Sequence, residues 1–375
     1  MEREIKKYMI LVATSGDTGS AVLDGFSRKG GDMGVGVLVL FPEEGISDIQ
    51  KKQMTSLQEK NIHVVGVRGD FDFCQSAVKR AFTDQDLASN LVHSHGCKLS
   101  AANSLNWGRL LPQVVYHASA YLSLVQKKII SLGEEIDICI PTGNFGNILS
   151  AYYAKEMGIP FRHLVCASNC NNVLTEFINT GCYDLQSRTL QPTASPAIDI
   201  LVSSNLERFL YHLTEGSSDQ ITQWYQSLKE NSFFTVPPEV LEQIQKVMVA
   251  DWCSEAECRE TIEKTYRDTG YLLDPHTAVG KTIGDRFYTG ERPMIIAATA
   301  HYGKFADTVF DAIGYEAGKE KSAQELLEFF DNLKLKPPMH EMLMKTSAKP
   351  RTQKIVCDAD YSNIVEQIYQ FTKLL

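Results

Sequence analysis

Two short stretches of the sequence combine glycines with hydroxyl and amide side chains directly after an apolar run. They are Val12–Ser20 (VATSGDTGS) and Ile140–Ile148 (IPTGNFGNI). Glycines let the backbone turn tightly and bring its N–H groups close to a ligand, and a helix that starts there favours an anion. Neither stretch matches GxGxxG or GxxxxGKS/T, so dinucleotide and P-loop sites lack their signature. Each loop alone could be a tight turn without a ligand, but two such loops favour a binding site.

A third polar stretch, Asn103–Arg109 (NSLNWGR), precedes a long segment of helical periodicity. Asn103, Ser104 and Asn106 are good capping residues, so a simple helix start is the alternative interpretation. Arg109 follows within the first turns, where a guanidinium can hold a phosphate or carboxylate with two hydrogen bonds. Polar donors and an arginine at one helix start predict a phosphorylated substrate.

The stretch Ala297–Phe305 (AATAHYGKF) ends a predicted buried strand with Thr299, His301 and Lys304. A hydroxyl that faces a pyridine nitrogen, in place of a carboxylate, leaves that nitrogen largely unprotonated, and this tuning would matter for pyridoxal chemistry. A metal site is not predicted, because the histidines and cysteine of His93–Cys97 lack a second ligand cluster at a familiar spacing.

Charge and composition exclude several classes of partner. The chain has 37 Lys and Arg against 46 Asp and Glu, a formal net charge of −9. Nucleic acid and anionic membranes are therefore not expected as partners, and no apolar run has the roughly 20 residues of a membrane-spanning helix. The nine cysteines are odd in number and lack framework spacing, which favours a reducing, cytoplasmic compartment. A mitochondrial location would need a targeting segment upstream of this chain.

Apolar runs of strand length alternate with segments of helical period from the N-terminus onward. The predicted elements of this first part, strand and helix in turn, are 8–13, 19–29, 35–41, 46–60, 62–67 and 71–87. This order predicts a parallel sheet covered by helices on both faces. After a predicted helix at 104–131 the rhythm restarts near Gly133. We therefore expect two α/β domains, residues 1–133 and 134–375.

The second part repeats the pattern with additional helices. Strands are predicted at 136–140 and 163–167, and a buried strand at 293–299. Ser195-Pro196 and Asp274-Pro275 each combine a capping residue with a proline, which predicts helix starts, the first running to about Leu213. For Asp274-Pro275-His276-Thr277, a catalytic pair is the less favoured alternative to a helix cap. A helical excursion is expected at 219–246, interrupted by two prolines.

Six motifs occur in an order that resembles the threonine synthases: TSGDTGS, NSLNWGR, PTGNFGN, SPAIDILVSSNLERFL, DPHTAVG and TAHYGKF. The resemblance extends from about Met9 to about Phe310. It implies an α/β fold of pyridoxal-phosphate fold type II, like the tryptophan synthase β-subunit, with parallel sheets in two domains and the cofactor between them. It also implies pyridoxal phosphate as cofactor and a small phosphorylated amino acid as substrate. The implied chemistry is phosphate elimination from O-phosphohomoserine or a related compound, giving threonine or a keto acid.

The resemblance assigns roles to three groups of residues. The cofactor is held by Gly143, Asn144, Phe145, Gly146 and Asn147, with the hydroxyl of Thr299 at the pyridine nitrogen. The α-carboxylate of the substrate is received by Thr14, Ser15, Asp17 and Thr18. Its phosphate is held by Asn103, Ser104, Asn106 and Arg109.

The sequence departs from the family pattern at several positions. Asn147 and Asn172 replace aspartates, and Tyr302-Gly303 replaces Pro-Ala. In the family, the lysine that forms an imine with the cofactor lies in an F-K-D-type motif upstream of the SGDTG loop, and nothing here matches that motif. Lys7, just ahead of the first predicted strand, is separated from Ser15 by roughly 25 Å of extended chain.

The resemblance therefore implies that the N-terminal segment with the imine-forming lysine is missing, so that no catalytic residue is assigned. Three hypotheses follow. The chain is a pyridoxal-phosphate-dependent lyase, or it is a truncated, catalytically incompetent binding or regulatory protein. The third hypothesis is a fragment of marginal stability that lacks the segment completing its fold.

Overall fold

Strands and helices alternate along the chain. The structure, a computed structural model, describes residues 5–27, 31, 33–44, 46–102, 106–315 and 322–375. The strands are β1 Lys7–Ala13, β2 Val35–Pro42, β3 Ile62–Arg68, β4 Cys97–Ala101, β5 Ile136–Pro141, β6 Phe161–Ser168, β7 Cys182–Asp184, β8 Phe233–Thr235, β9 Met248–Trp252, β10 Met294–Ile296 and β11 Ile355–Asp358. The helices are α1 Asp17–Ser27, α2 Asp48–Thr55, α3 Phe71–Thr83, α4 Gln85–His95, α5 Trp107–Gln126, α6 Gly146–Glu156, α7 Val173–Thr180, α8 Leu206–Leu213, α9 Ser218–Asn231, α10 Pro238–Val247, α11 Glu255–Thr269, α12 Pro275–Phe287, α13 Ala306–Ala312, α14 Ala323–Asn332, α15 Glu341–Ser347 and α16 Tyr361–Leu374. None of the helices in these described ranges is long and apolar enough to cross a bilayer.

The first of two compact units contains residues 1–103, 319–334 and 338–375. Its parallel sheet has the strand order β11-β3-β2-β1-β4. Met9 and Leu11 of β1 pack with α3, α4 and α16, whereas Ile10 and Val12 pack with α1 and α2 on the opposite face. Because both faces are covered, the strands are nearly continuous apolar runs. The loop that follows β1 thus leaves an inner strand of this sheet.

The second unit contains residues 104–318 and 335–337. Its main sheet is parallel with the order β10-β5-β6-β9, and β7 and β8 form a small antiparallel pair. Ile138 and Ile140 of β5 are buried in a core that includes Ile148 of α6, Phe177 of α7 and Phe209 of α8. The predicted excursion at 219–246 forms α9, β8 and α10.

This division of the chain differs from the predicted boundary near Gly133 in two ways. Helix α5 lies with the second unit and is joined to α6, because Nε2 of His117 is 3.0 Å from Oγ of Ser150. Strand β11 pairs with β3, with Ile355 opposite Val65, so C-terminal residues complete the first sheet. Pairing between strands this far apart in sequence leaves no trace in local periodicity.

Two predicted helices are interrupted in the structure. The segment 71–87 forms two helices, because Asp84 ends α3 and its carboxylate caps the Leu87 N–H of α4 at 2.9 Å. The segment from Ser195 to Leu213 forms only a 3₁₀ turn, Pro196–Ile198, before α8 begins. Polar residues in between bond to other parts of the second unit, as described below, so they cannot continue a helix.

The predicted buried strand at 293–299 is shorter and less buried than expected. Only Met294–Ile296 pairs with β5, and these residues are half-buried. Strand β10 has one partner in the order β10-β5-β6-β9, so it lies at an edge of the sheet. An edge strand has one side without a neighbouring strand, which accounts for its exposure.

Candidate active site

The loop of residues 142–147 connects β5 to α6 in the second unit. Strand β5 ends at Pro141 and α6 begins at Gly146, so Gly143, Asn144 and Phe145 lie at the carboxyl end of a buried strand and at the start of a helix. The first turn of a helix leaves backbone N–H groups without intrahelical partners. A phosphate can accept hydrogen bonds from such groups and is favoured by the positive end of the helix dipole.

The backbone of this loop is held in an uncommon conformation. Phe145 has φ +64°, a left-handed value that costs energy for a residue with a side chain. Its ring is fully buried and contacts that of Phe209, with 5.6 Å between the ring centres. The amide of Asn147 donates to the carbonyl oxygen of Pro141 at 2.7 Å and thereby joins the helix start to the strand end. Asn147 can donate in this way, whereas an ionised aspartate cannot.

Residues 195–205, which we call the brace segment, contact the 142–147 loop from a distant part of the sequence. The Ser203 hydroxyl donates to the carbonyl oxygen of Gly143. The Asn205 side chain donates to the carbonyl oxygen of Asn144 at 2.9 Å, and its backbone N–H does so at 3.2 Å. A Cβ on Gly143 would lie 2.9 Å from Cα of Ile198, so only glycine allows this approach.

A buried cluster of polar side chains fixes the start of the brace segment. The Asn169 amide donates to Thr193 Oγ1 at 2.9 Å, to Ser195 Oγ at 3.0 Å and to Asp199 Oδ1 at 2.7 Å. Asn171 also donates to Asp199, at 3.0 Å. Burial raises the pKa of Asp199, while its hydrogen bonds with Thr193 and Asn169 act in the opposite direction. This cluster prevents residues 199–205 from joining the helix that the sequence predicts.

The start of α12 connects the brace segment to Thr299. Asp274 caps α12 by accepting from the His276 N–H at 2.9 Å, and it also accepts from the Thr277 hydroxyl. Nε2 of His276 accepts from the Ala197 N–H at 3.1 Å. The Thr277 hydroxyl oxygen in turn accepts from the Thr299 N–H at 3.4 Å. The side chain of Thr299 is exposed.

The 142–147 loop and Thr299 leave the same edge of the second sheet. Strands β5 and β10 are parallel neighbours, with Cys139 opposite Ile296. The carboxyl ends of parallel neighbours lie at the same edge of a sheet, where ligands bind in open α/β folds. The predicted phosphate loop and the predicted hydroxyl partner of a pyridine nitrogen therefore lie at one edge.

The start of α5 contains two of the four residues predicted to hold a substrate phosphate. Asn106 caps this helix, with its side-chain oxygen 2.9 Å from the Gly108 N–H. Arg109 is half-buried one turn later, and burial lowers the pKa of its guanidinium. Asn103 and Ser104 lie outside the described residues. His117, two turns further along α5, lies 3.1 Å from the carbonyl oxygen of Asn147, so α5 is bonded to the first turn of α6.

The loop of residues 14–18 lies in the first unit, between β1 and α1. The Thr14 hydroxyl is buried and accepts from the N–H groups of Gly16 and Gly19, both at 2.9 Å. Gly16 has φ +132°, which favours glycine. Asp17 accepts from the side chain of Gln50 at 3.1 Å. The interior hydrogen bonds of Thr14 shape the loop, while the half-buried Ser15, Asp17 and Thr18 remain predicted substrate contacts.

Lys6 and Lys7 lie at the other end of the same strand. β1 begins at Lys7, which pairs with Cys97, and ends at Ala13 immediately before the 14–18 loop. The full length of the strand separates the two lysine backbones from that loop.

No group of three or more potential metal ligands occurs within the described ranges. His93 bonds to the carbonyl oxygen of Ser89 at 2.8 Å within its own helix. Burial raises the pKa of several thiols, for Cys166 and Cys253 to about 12. A thiol with so high a pKa is a poor nucleophile at neutral pH.

Sequence reasoning missed the brace segment and its connection to α12. Ser195, Ser203, Asn205 and His276 are almost completely buried although they are polar. Their burial cannot be read from local sequence, and it is this burial that requires each of the four polar side chains to have a hydrogen-bond partner. The sequence favours a helix cap for Asp274 over a catalytic pair, and the structure shows that its carboxylate also bonds to the side chains of His276 and Thr277.

Comparison with known proteins tests the resemblance. A family model described as "Threonine synthase, C-terminal" matches residues 277–368. The chain is 50% identical to human "Threonine synthase-like 1", over 97% of this chain and 50% of that protein. It is 38% identical to the threonine synthase of Schizosaccharomyces pombe, over 88% of this chain and 67% of that protein. The PLP-bound threonine synthase from Brucella melitensis aligns with a TM-score of 0.82 at 32% identity, covering 98% of this chain and 71% of that one.

The parallel sheets and the similarity to this solved structure define an α/β protein of pyridoxal-phosphate fold type II, which confirms the predicted fold class. Within that class, the chain belongs to the threonine synthase family. It spans about half the length of the first curated relatives it matches.

Proposed function

We propose that this chain binds pyridoxal phosphate and contributes to phosphate elimination from a small phosphorylated amino acid, as a threonine synthase-like protein. The observation that carries the proposal is the 142–147 loop, where a left-handed residue and a helix start follow a buried strand. The site fits the phosphate group of the cofactor, because the carbonyl oxygens of the loop already accept hydrogen bonds from the brace segment and from Asn147. The Ile148 N–H is bonded to Oδ1 of Asn147 at 2.9 Å, so the backbone N–H groups that precede it in the loop and at the helix start are those that would bind an anion.

The side chains available at this edge suit the rest of the cofactor. When bound, pyridoxal phosphate would supply an electron sink for carbanion chemistry at the substrate. The Thr299 hydroxyl would meet the pyridine nitrogen and leave it largely unprotonated. Gly143, Asn144, Phe145, Gly146 and Asn147 would hold the phosphate.

Two groups of residues would bind the substrate. Arg109 carries a guanidinium that can hold a phosphate with two hydrogen bonds. Asn106 would add a polar contact at the same helix start, and Asn103 and Ser104 remain predicted phosphate contacts. In the first unit, Ser15, Asp17 and Thr18 would orient the substrate through its α-carboxylate and ammonium groups, on a loop shaped by Thr14.

A binding or regulatory protein is the second candidate, and one observation favours it. Lys6 and Lys7 stand at the amino end of β1, whereas the 14–18 loop follows its carboxyl end. Neither lysine backbone lies at the end of β1 that leads into this loop. On this proposal, the chain binds pyridoxal phosphate without forming a covalent bond to it.

Incubation of the purified chain with pyridoxal phosphate, followed by dialysis, tests both candidates. We expect saturable binding at one site per chain, which failure to bind would overturn. Borohydride treatment and peptide mapping then separate the candidates, because a single tagged lysine with phosphate release from O-phosphohomoserine or O-phosphothreonine supports the lyase. Dialysable binding without a tag or phosphate release supports the binding protein.

A further inference from the structure

The brace segment holds two successive carbonyl oxygens of the 142–147 loop. Ser203 donates to Gly143, and Asn205 donates to Asn144 from both its side chain and its backbone. These bonds turn the carbonyls towards the brace segment. The adjoining N–H groups of a peptide chain point the opposite way from the carbonyls, so the bonds favour N–H groups that face away from the brace.

The other end of the brace segment is held by the Asn169 cluster at Ser195 and Asp199 and, between them, by His276 at Ala197. Nε2 of His276 is 3.1 Å from the Ala197 nitrogen, and Nδ1 is 3.0 Å from Asp274 Oδ1. The side chains of His276 and Asp274 are only 2% and 1% exposed. Because a carboxylate accepts, Nδ1 carries the proton, which leaves Nε2 as the acceptor that the Ala197 N–H requires.

The carboxylate of Asp274 is also linked to Thr299, through two hydrogen bonds that share the Thr277 hydroxyl. Asp274 accepts from the Thr277 hydroxyl, whose oxygen accepts from the Thr299 N–H. One buried carboxylate thus connects to both predicted contact points of the cofactor, the phosphate loop through His276 and the pyridine contact through Thr277. A helix cap alone would need only the bonds to the backbone N–H groups of α12.

We propose that the Asp274–His276 pair is a positioning device, which fixes the 142–147 loop through Ala197 and the brace segment and fixes Thr299 through Thr277. This inference rests on the proposed function, since the cofactor is the ligand for which both are positioned. His276 does not touch the cofactor and acts only through the backbone of the brace.

Three variants separate positioning from general stability. His276→Phe keeps a ring of similar size but removes the acceptor for Ala197. His276→Gln restores an acceptor, because its amide oxygen reaches about as far as Nε2. His63→Phe is the matched control, since buried His63 of the first unit bonds to Gln367 at 2.9 Å and has no part in the brace.

Amide hydrogen exchange of the folded, ligand-free chain gives the first measurement. We expect His276→Phe to speed exchange in the peptide that contains residues 142–148 by about tenfold, the effect of losing one buried hydrogen bond. His276→Gln should stay within about twofold of the parent, and His63→Phe should leave this peptide unchanged. Unchanged exchange in His276→Phe would overturn the inference, and so would equal acceleration by His63→Phe.

The second measurement uses pyridoxal phosphate itself, by equilibrium dialysis and by the ³¹P resonance of the bound phosphate. His276→Phe should weaken binding about tenfold and move the ³¹P resonance towards that of the free cofactor, with rescue by His276→Gln. A parent chain that fails to bind refutes the proposed function alone, because the exchange result still decides the role of His276. A parent that binds while His276→Phe matches it in affinity and ³¹P resonance refutes the positioning role.

Discussion

The 142–147 loop and the 14–18 loop share one plan, a parallel strand followed by glycines, small polar residues and a helix, yet they are held differently. The 14–18 loop is stabilised mainly from within, by Thr14, with Gln50 of α2 beside it. The 142–147 loop is held by the brace segment, about 60 residues further along the chain. Substitutions far away in sequence should therefore change the shape of the 142–147 loop more than that of the 14–18 loop.

This difference matches the ligands proposed for the two loops. A tightly held cofactor phosphate favours a rigid cradle, since pre-organised N–H groups need not be ordered on binding. A loop that receives and releases substrate in every cycle has no such need, and short local bonds are sufficient to give its shape. Substitutions that disturb the support of one loop at a time can test this difference.

The largest expected effect is a loss of stability at acidic pH that is caused by protonation of His117. This histidine bonds to the first turn of α6. Burial lowers the pKa of His117 to about 4, below its unfolded value. As pH falls, the imidazole of residue 117 is therefore protonated in the unfolded chain before it is protonated in the folded one. The contribution of His117 to the free energy of unfolding is complete above pH 6.5 and is lost as pH falls towards 4. The loss at pH 4 should be about 3 kcal/mol in the free energy of unfolding.

Denaturant unfolding at several pH values measures this slope. His117→Gln keeps polar atoms near Ser150 and Asn147 but cannot take up a proton, so its curve should be flatter between pH 6.5 and 4. An identical slope in the parent and His117→Gln would contradict the pKa assigned to this residue. Burial also lowers the pKa of His63 in the first unit, so His63→Gln gives the corresponding test there.

The second prediction concerns the interior of the 14–18 loop. Thr14→Val keeps the shape of the side chain but leaves the buried N–H groups of Gly16 and Gly19 without their acceptor. We expect a loss of 2 to 3 kcal/mol, roughly, in the free energy of unfolding. Thr14→Ser, which retains the hydroxyl, should lose less than half of that. Pyridoxal phosphate affinity of the folded variant should not change, and a large change would mean that the two loops are not independent.

Sequence patterns predicted both loops because each lies within about ten consecutive residues, where strand, glycine and helix signals are local. They did not predict the brace, because Asn169 and Asp199 are 30 residues apart and Ser203 and Gly143 are 60 apart. In the predicted helix at 195–213, the polar residues are stabilised more by hydrogen bonds to distant residues than by hydrogen bonds within a helix. Tertiary contacts here outweigh local helix propensity. The resemblance to threonine synthases located the site, whereas the hydrogen bonds that shape it required the structure.

The third prediction tests how closely the brace approaches the 142–147 loop. Gly143→Ala places a Cβ 2.9 Å from Cα of Ile198 and 3.2 Å from the carbonyl oxygen of Ala197, which are backbone atoms that cannot turn aside. We expect a loss of about 2 kcal/mol in stability, and weaker pyridoxal phosphate binding. Gly25→Ala in α1 is the matched control, because nothing lies within 4 Å of its added Cβ. That variant should be stabilised by about 0.5 to 1 kcal/mol, and equal destabilisation of both would refute the close approach.

The smallest effect is expected from the contact between α2 and the 14–18 loop. Gln50 and Gln53, both in α2, serve as the test position and its matched control. Gln50 donates to Asp17 at 3.1 Å and completes the capping box with Ser47. Gln53 has a buried side-chain oxygen without a hydrogen-bond partner among the described residues. Gln50→Met should therefore lower the free energy of unfolding by about 1 kcal/mol, whereas Gln53→Met should be neutral or stabilising, because it removes an unsatisfied buried acceptor.

Thermal unfolding of the two variants measures the difference in stability between them. Equal costs would mean that Asp17 needs no support from α2, so that Thr14 alone holds the loop.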